Sequence, residues 1–187
     1  MNLPNALTLS RFAFAGLVMY FLRQPGMPSQ FIAFIFFAAG ALTDLIDGKL
    51  ARKYNLITPF GQLMDPIADK FLMFGAFLTF VELGVLPAWM VILMLTREVL
   101  ITGFRFMGAR RGIEIPAAKG GKRKTVIQTV SICVIFGYLV LKSTGRVSPE
   151  TLGDLLAAIR FGMLFVVIYT LATGISYTAR NWRHLRG

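Results

Sequence analysis

The chain has 187 residues, of which 56% are hydrophobic and 16% charged, with a net charge of +11 and a mean hydropathy of +0.65. That balance excludes an ordinary water-soluble domain, and the length suits one compact helical unit, residues 1–187, without a second. The single cysteine, Cys133, excludes an intrachain disulfide and reads as a packing residue in an apolar run.

Six apolar segments follow in chain order, several of them close to the roughly 20 residues that a helix needs to cross a hydrocarbon core. They cover residues 6–22, 31–52, 71–86, 88–109, 126–141 and 161–177. Ahead of the first span, "NLPNALTLSR" is polar on one side and is expected to lie along the interface as a short helix. Pro25-Gly26, Pro59, Gly84 with Pro87, Gly112 with Pro116, and Ser148-Pro149 punctuate the segments. The expected fold class is therefore all-α: a polytopic six-transmembrane-helix bundle with a short N-terminal interfacial helix.

Sorting the basic residues by loop sets the orientation. With the N-terminus inside, the cytoplasmic side receives Arg11, Lys49, Arg52, Lys53, Lys70, Arg105, Arg110, Arg111, a basic loop from Lys119 to Lys124, and Arg180, Arg183 and Arg186. The opposite side holds only Arg23, Lys142, Arg146 and Arg160, and Arg97 alone lies deep in a span. Both termini are expected to face the cytoplasm, and the basic charge reads as topology and contact with anionic membrane lipid. Nucleic acid is not an expected partner.

Nearly half of the nine acidic residues fall between positions 43 and 70. Asp44 and Asp47 end the second span, and Asp65 and Asp69 begin the third, all at the cytoplasmic side. On a helix, residues three, four and seven apart share a face, so Asp44, Asp47, Gly48 and Ala51 form one stripe, and Gly61, Asp65 and Asp69 form another. A short connection makes the two helices antiparallel neighbours whose carboxylates converge. Four such charges repel strongly near the bilayer unless protonated or bound to cations. Oxygen ligands without nearby histidine or cysteine suit Mg²⁺, Mn²⁺ or Ca²⁺, and two divalent ions would balance the four charges. Paired metals are a recurring device for in-line displacement at phosphorus. The small Gly48 and Ala51 leave room for a ligand beside the backbone. The plainer alternative pairs the aspartates with Lys49, Arg52, Lys53 and Lys70, but two matched faces favour the metal reading.

The run D-L-I-D-G-K-L-A-R from Asp44 to Arg52, eight further residues, and G-Q-L-M-D-P-I-A-D from Gly61 to Asp69 together resemble the CDP-alcohol phosphotransferase signature at every fixed position. The resemblance implies a six-helix membrane domain, commonly a homodimer, with its site open to the cytoplasmic interface. It implies that Asp44, Asp47 and Asp65 ligate two divalent cations, Mg²⁺ foremost and Mn²⁺ as the alternative. Asp69 is the implied general base for the acceptor hydroxyl and shares a metal. Gly48, Ala51, Arg52 and Gly61 match the residues that cradle the cytidine diphosphate, and Asn5 and Thr8 match positions that touch the nucleotide.

Further segments, "NLPNALTLSR", "TPFGQLMDPIADK", "TREVLITGFR" and "AAKGGKRKTVIQ", are similar to the bacterial branch that uses glycerol 3-phosphate. That branch implies transfer of a phosphatidyl group from CDP-diacylglycerol, with CMP released, at the bacterial cytoplasmic (inner) membrane. An acceptor carrying a phosphate dianion needs a second cationic pocket, and Arg105, Lys119 and Lys124 match it. Arg97-Glu98 is an intramembrane pair whose adjacent positions are not expected to face each other; Glu98 could orient a basic neighbour. Two rivals remain: the same chemistry with inositol phosphate or serine, and a divalent-cation transporter. Transport disagrees with carboxylates at helix ends, since ion paths place them near the midplane on broken helices.

Overall fold

In the computed structural model, the backbone is described for residues 3–53, 59–110 and 119–186, and side chains for 9–43, 67–104, 106–108 and 123–181. The described residues form six helices: α1 (Leu3–Arg23), α2 (Met27–Lys53), α3 (Pro59–Glu82), α4 (Ala88–Arg110), α5 (Lys119–Ser143) and α6 (Pro149–Arg186). Each contains one of the six predicted segments, apart from the end of the third, Leu83–Leu86, which forms the turn before α4. No strand occurs among the described residues.

The breaks have local causes. After α3 the chain reverses through Gly84 at φ +70°, a left-handed conformation that costs glycine little. Val85 N–H returns to the Phe80 carbonyl at 2.9 Å and Gly84 N–H to that of Val81 at 3.0 Å, which satisfies carbonyls at the helix end. Pro87 follows and α4 begins. Ser148 caps α6: its Oγ accepts from Thr151 N–H at 3.2 Å, and Pro149 takes the first helical position, where an N–H is not needed.

α1 packs on both α2 and α3, α5 lies against α2 and α6, and α4 bridges α3 and α6. Phenylalanine fills the centre. Phe37, Phe77, Phe80 and Phe136 are fully buried, and the Phe80 and Phe136 rings meet edge to face at 5.5 Å. Buried Gly40 lets α2 approach α1 and α3 closely, because a Cβ there would stand 2.7 Å from a Leu72 methyl and 3.5 Å from Phe14. At the end of the bundle remote from the aspartates, Arg23 of α1 forks onto Glu82 of α3 at 2.9 and 3.0 Å, and these bonds raise the guanidinium pKa above its ordinary value. Nearby, Arg160 of α6 donates to the Gly84 and Val85 carbonyls at 2.7 and 3.0 Å, tying α6 to the turn between α3 and α4.

The outer surface is apolar where a soluble protein would be polar: Phe161 is 79% exposed, Ile175 70% and Leu100 66%. Among the described residues, two helical stretches are long and apolar enough to cross a membrane, Arg123–Ser143 and Pro149–Asn181, and Met27–Thr43 is a shorter apolar one. Cys133 lies on the exposed side of α5.

Two expectations are corrected. The N-terminal segment is no separate interfacial helix: from Leu3 it forms the first turns of an uninterrupted α1. The basic stretch from Lys119 to Lys124, expected as a loop, is the opening of α5. Both extend a helix past its apolar run, since a helix continues while its backbone hydrogen bonding is satisfied, whatever the hydropathy of its side chains.

Candidate active site

The family-type motif is divided between two helices. Asp44, Asp47, Gly48, Ala51 and Arg52 occupy the last turns of α2, and Gly61, Asp65 and Asp69 the first turns of α3. Helical spacing keeps each set on its own stripe. The side chains of Asp44, Asp47, Gly48, Ala51, Arg52, Gly61 and Asp65 lie outside the described residues, as do those of Asn5, Thr8, Arg105 and Lys119. Asp69 is described and is half-buried, between fully buried Ala68 and half-buried Lys70. No group of three or more metal-ligating side chains assembles among the described residues. Asp69 is the one motif carboxylate within that set, and a half-buried carboxylate on the stripe it shares with Asp65 is the oxygen donor a hard cation requires.

Beside Asp69, beginning with the next residue of α3, four side chains from three helices meet. Glu98 of α4 accepts from Arg97 Nη1 on its Oε1 at 2.7 Å, and Lys124 of α5 bonds the same oxygen. Lys70 of α3 places its Nζ 3.8 Å from Glu98 Oε2 and also bonds Thr102. Arg97 Nη2 reaches toward Thr173 of α6 at 3.5 Å. The Arg97, Glu98 and Lys124 side chains are nine-tenths or more buried. Among the described residues, three cations from three helices thus converge on one carboxylate.

The structure thus alters the reading of Arg97-Glu98. Adjacent positions on a helix point about 100° apart, yet Arg97 is long enough to curl back to its neighbour's carboxylate. Lys70, which directly follows Asp69, also stands 3.8 Å from Glu98 of α4. Gly174 of α6 was missed. Arg97 lies across it so closely that a Cβ would stand 2.8 Å from Arg97 Cγ and 2.9 Å from Nε. The available signal was Thr170, Gly174 and Thr178, small residues four apart on an otherwise bulky apolar helix. Beside this contact an apolar groove of about 450 Å³ runs between α4 and α6, lined by Leu93, Leu100, Leu171 and Ile175 among others.

The CDP-alcohol phosphatidyltransferase family model matches residues 1–176. A Mycobacterium tuberculosis protein named "Probable phosphatidylglycerophosphate synthase" is 38% identical, covering 100% of this chain and 84% of its own length. Proteins named "CDP-diacylglycerol--glycerol-3-phosphate 3-phosphatidyltransferase" are 32% identical in Bacillus subtilis (99% of this chain, 97% of the relative) and 31% in Rickettsia bellii (94% and 93%). A helical chain with the paired-aspartate motif on the facing ends of two successive helices, matched along nearly its whole length, belongs to the CDP-alcohol phosphatidyltransferase family.

Proposed function

We propose that this chain is a phosphatidylglycerophosphate synthase, transferring the phosphatidyl group of CDP-diacylglycerol to sn-glycerol 3-phosphate with release of CMP. The observation that carries the reading is the near full-length match to relatives bearing that activity in their names, across a motif that falls on two helix ends. All six helices are read as spans of a bacterial cytoplasmic membrane, with the site and both termini on the cytoplasmic side and two copies forming a homodimer. A diacyl substrate keeps its tails among lipids and its diphosphate at headgroup depth, where α2 ends and α3 begins.

In the reaction the acceptor hydroxyl oxygen bonds to the phosphorus that carries the diacylglycerol. The P–O bond to CMP breaks, and its electron pair leaves on the CMP phosphate. Asp69 takes the hydroxyl proton; a general base of this kind contributes typically 10²–10⁴-fold. Asp44, Asp47 and Asp65, with Asp69, would hold two divalent cations, Mg²⁺ foremost, which neutralise the diphosphate. Gly48, Ala51, Arg52 and Gly61, with Asn5 and Thr8, hold the nucleotide. Arg105, Lys119 and Lys124 take the acceptor phosphate, arginine by paired hydrogen bonds and lysine as point charge. Positioning and electrostatics dominate such transfers.

The test is acceptor dependence. Purified protein with CDP-diacylglycerol and Mg²⁺ should release CMP with glycerol 3-phosphate and not with inositol phosphate or serine. Release with another acceptor, or with none, overturns the assignment.

A further inference from the structure

We propose that Glu98 is a positioning residue for the acceptor side of the site, holding the Lys124 ammonium in place before substrate arrives. The inference rests on the reading that Lys124 meets the acceptor phosphate, and it adds the device that aims that lysine.

Lys124 opens the second turn of α5 on a four-carbon stem, and a lysine side chain carries about 2 kcal/mol of rotamer entropy. Left loose, it would lose that freedom on binding and weaken capture of a small dianion. Here the freedom is lost in advance. Lys124 is 4% exposed, and its ammonium bonds Glu98 Oε1, leaving two further N–H groups for another partner. Glu98 is itself fixed from two other directions. Arg97 donates to the same oxygen at 2.7 Å, and Lys70 of α3 stands 3.8 Å from the other. Arg97 is held in turn by its passage over Gly174 and its reach toward Thr173.

The arrangement also sets registration. Lys70 directly follows Asp69 on α3, whereas Lys124 shares α5 with Lys119. One carboxylate on α4 therefore references the helix that bears the base to the helix that bears the acceptor cations. Placing the two reacting ends within a fraction of an ångström is where much of the rate enhancement in such transfers arises. Three cations from three helices converging on one carboxylate fix its place from several directions, which neutralising a single lysine would not need.

The experiment uses the full-length protein in mixed micelles of detergent and CDP-diacylglycerol, with each substrate varied separately. Glu98→Gln keeps volume and an acceptor oxygen and removes the charge; Glu98→Asp keeps the charge one methylene shorter. We expect Glu98→Gln to raise KM for glycerol 3-phosphate about tenfold, with kcat and KM for CDP-diacylglycerol changed less than about twofold. Glu98→Asp should recover part of the loss. Lys124→Met should raise the same KM, and the double variant should be no worse than Lys124→Met alone, since both substitutions remove one contact chain. The unchanged CDP-diacylglycerol KM serves as the check on folding, and Glu98→Asp supplies the answer should the glutamine variant not fold. If Lys124→Met raises the acceptor KM and neither Glu98 variant does, or if they shift both KM values alike, the positioning role is overturned. If wild-type protein does not use glycerol 3-phosphate, or Lys124→Met leaves its KM unchanged, the underlying reading of the acceptor site fails instead.

Discussion

Gly174→Ala adds one methyl group to α6 and should destabilise the protein, although alanine is the better helix former. The new Cβ would stand 2.8 Å from Arg97 Cγ, 2.9 Å from Nε and 3.4 Å from Cδ, against ordinary carbon contacts of about 3.5–4.0 Å. Arg97 must retreat by about 1 Å, which would stretch its 2.7 Å bond to Glu98 beyond hydrogen-bonding range. Overpacking of this kind typically costs about 1–3 kcal/mol, and a hydrogen bond to a charged group about the same. The two effects overlap, so the expected loss is about 2 kcal/mol, or a fall in Tm of about 4–8 °C for a chain of this size. Gly162 and Gly153 supply internal controls. Both lie on α6 with nothing within 4 Å of an added Cβ, so alanine there should be neutral or stabilising by about 0.5 kcal/mol. Thermal unfolding in one detergent, followed by circular dichroism, gives the comparison. A Gly174→Ala protein as stable as Gly162→Ala would refute the claim that Arg97 is wedged against α6.

Asp69→Asn should abolish CMP release while CDP-diacylglycerol still binds; near-normal turnover removes its role as base. Chelation of divalent cations should stop turnover and added Mg²⁺ restore it, measured as CMP release, and undiminished activity in excess chelator would dismiss the metals. Arg105→Ala should raise the glycerol 3-phosphate KM several-fold more than that of CDP-diacylglycerol, so equal shifts would count against an acceptor pocket. Arg160→Met loses two bonds to the turn after α3 and should lower stability by about 1–3 kcal/mol without altering either KM. An unchanged melting temperature would mean the tie contributes nothing.

The order of six helices was legible because each apolar run is long and each break carries glycine or proline. The helix ends were not. Hydropathy reports the apolar part of a helix, whereas the helix stops where its backbone hydrogen bonding stops. α6 starts at Pro149, well ahead of the apolar run that opens at Phe161, because Ser148 and Pro149 provide a cap. Lys119–Lys124 looked like a loop since it is basic with two glycines, yet lysine and arginine are good helix formers. Within the candidate site, the aspartate stripes could be read from spacing alone. The Glu98 cluster was legible only as the adjacent Arg97-Glu98 pair, because Lys70 and Lys124 come to it from helices distant in sequence, and no local periodicity encodes which cation a buried carboxylate will meet.

Cys133 is the only thiol in the chain and points outward from α5. A nitroxide attached there needs no background of removed cysteines, so the native sequence already carries a spectroscopic ruler. If two copies pair as proposed, the dimer would hold two such spins and yield one separation by pulsed electron resonance, whereas isolated copies would yield none.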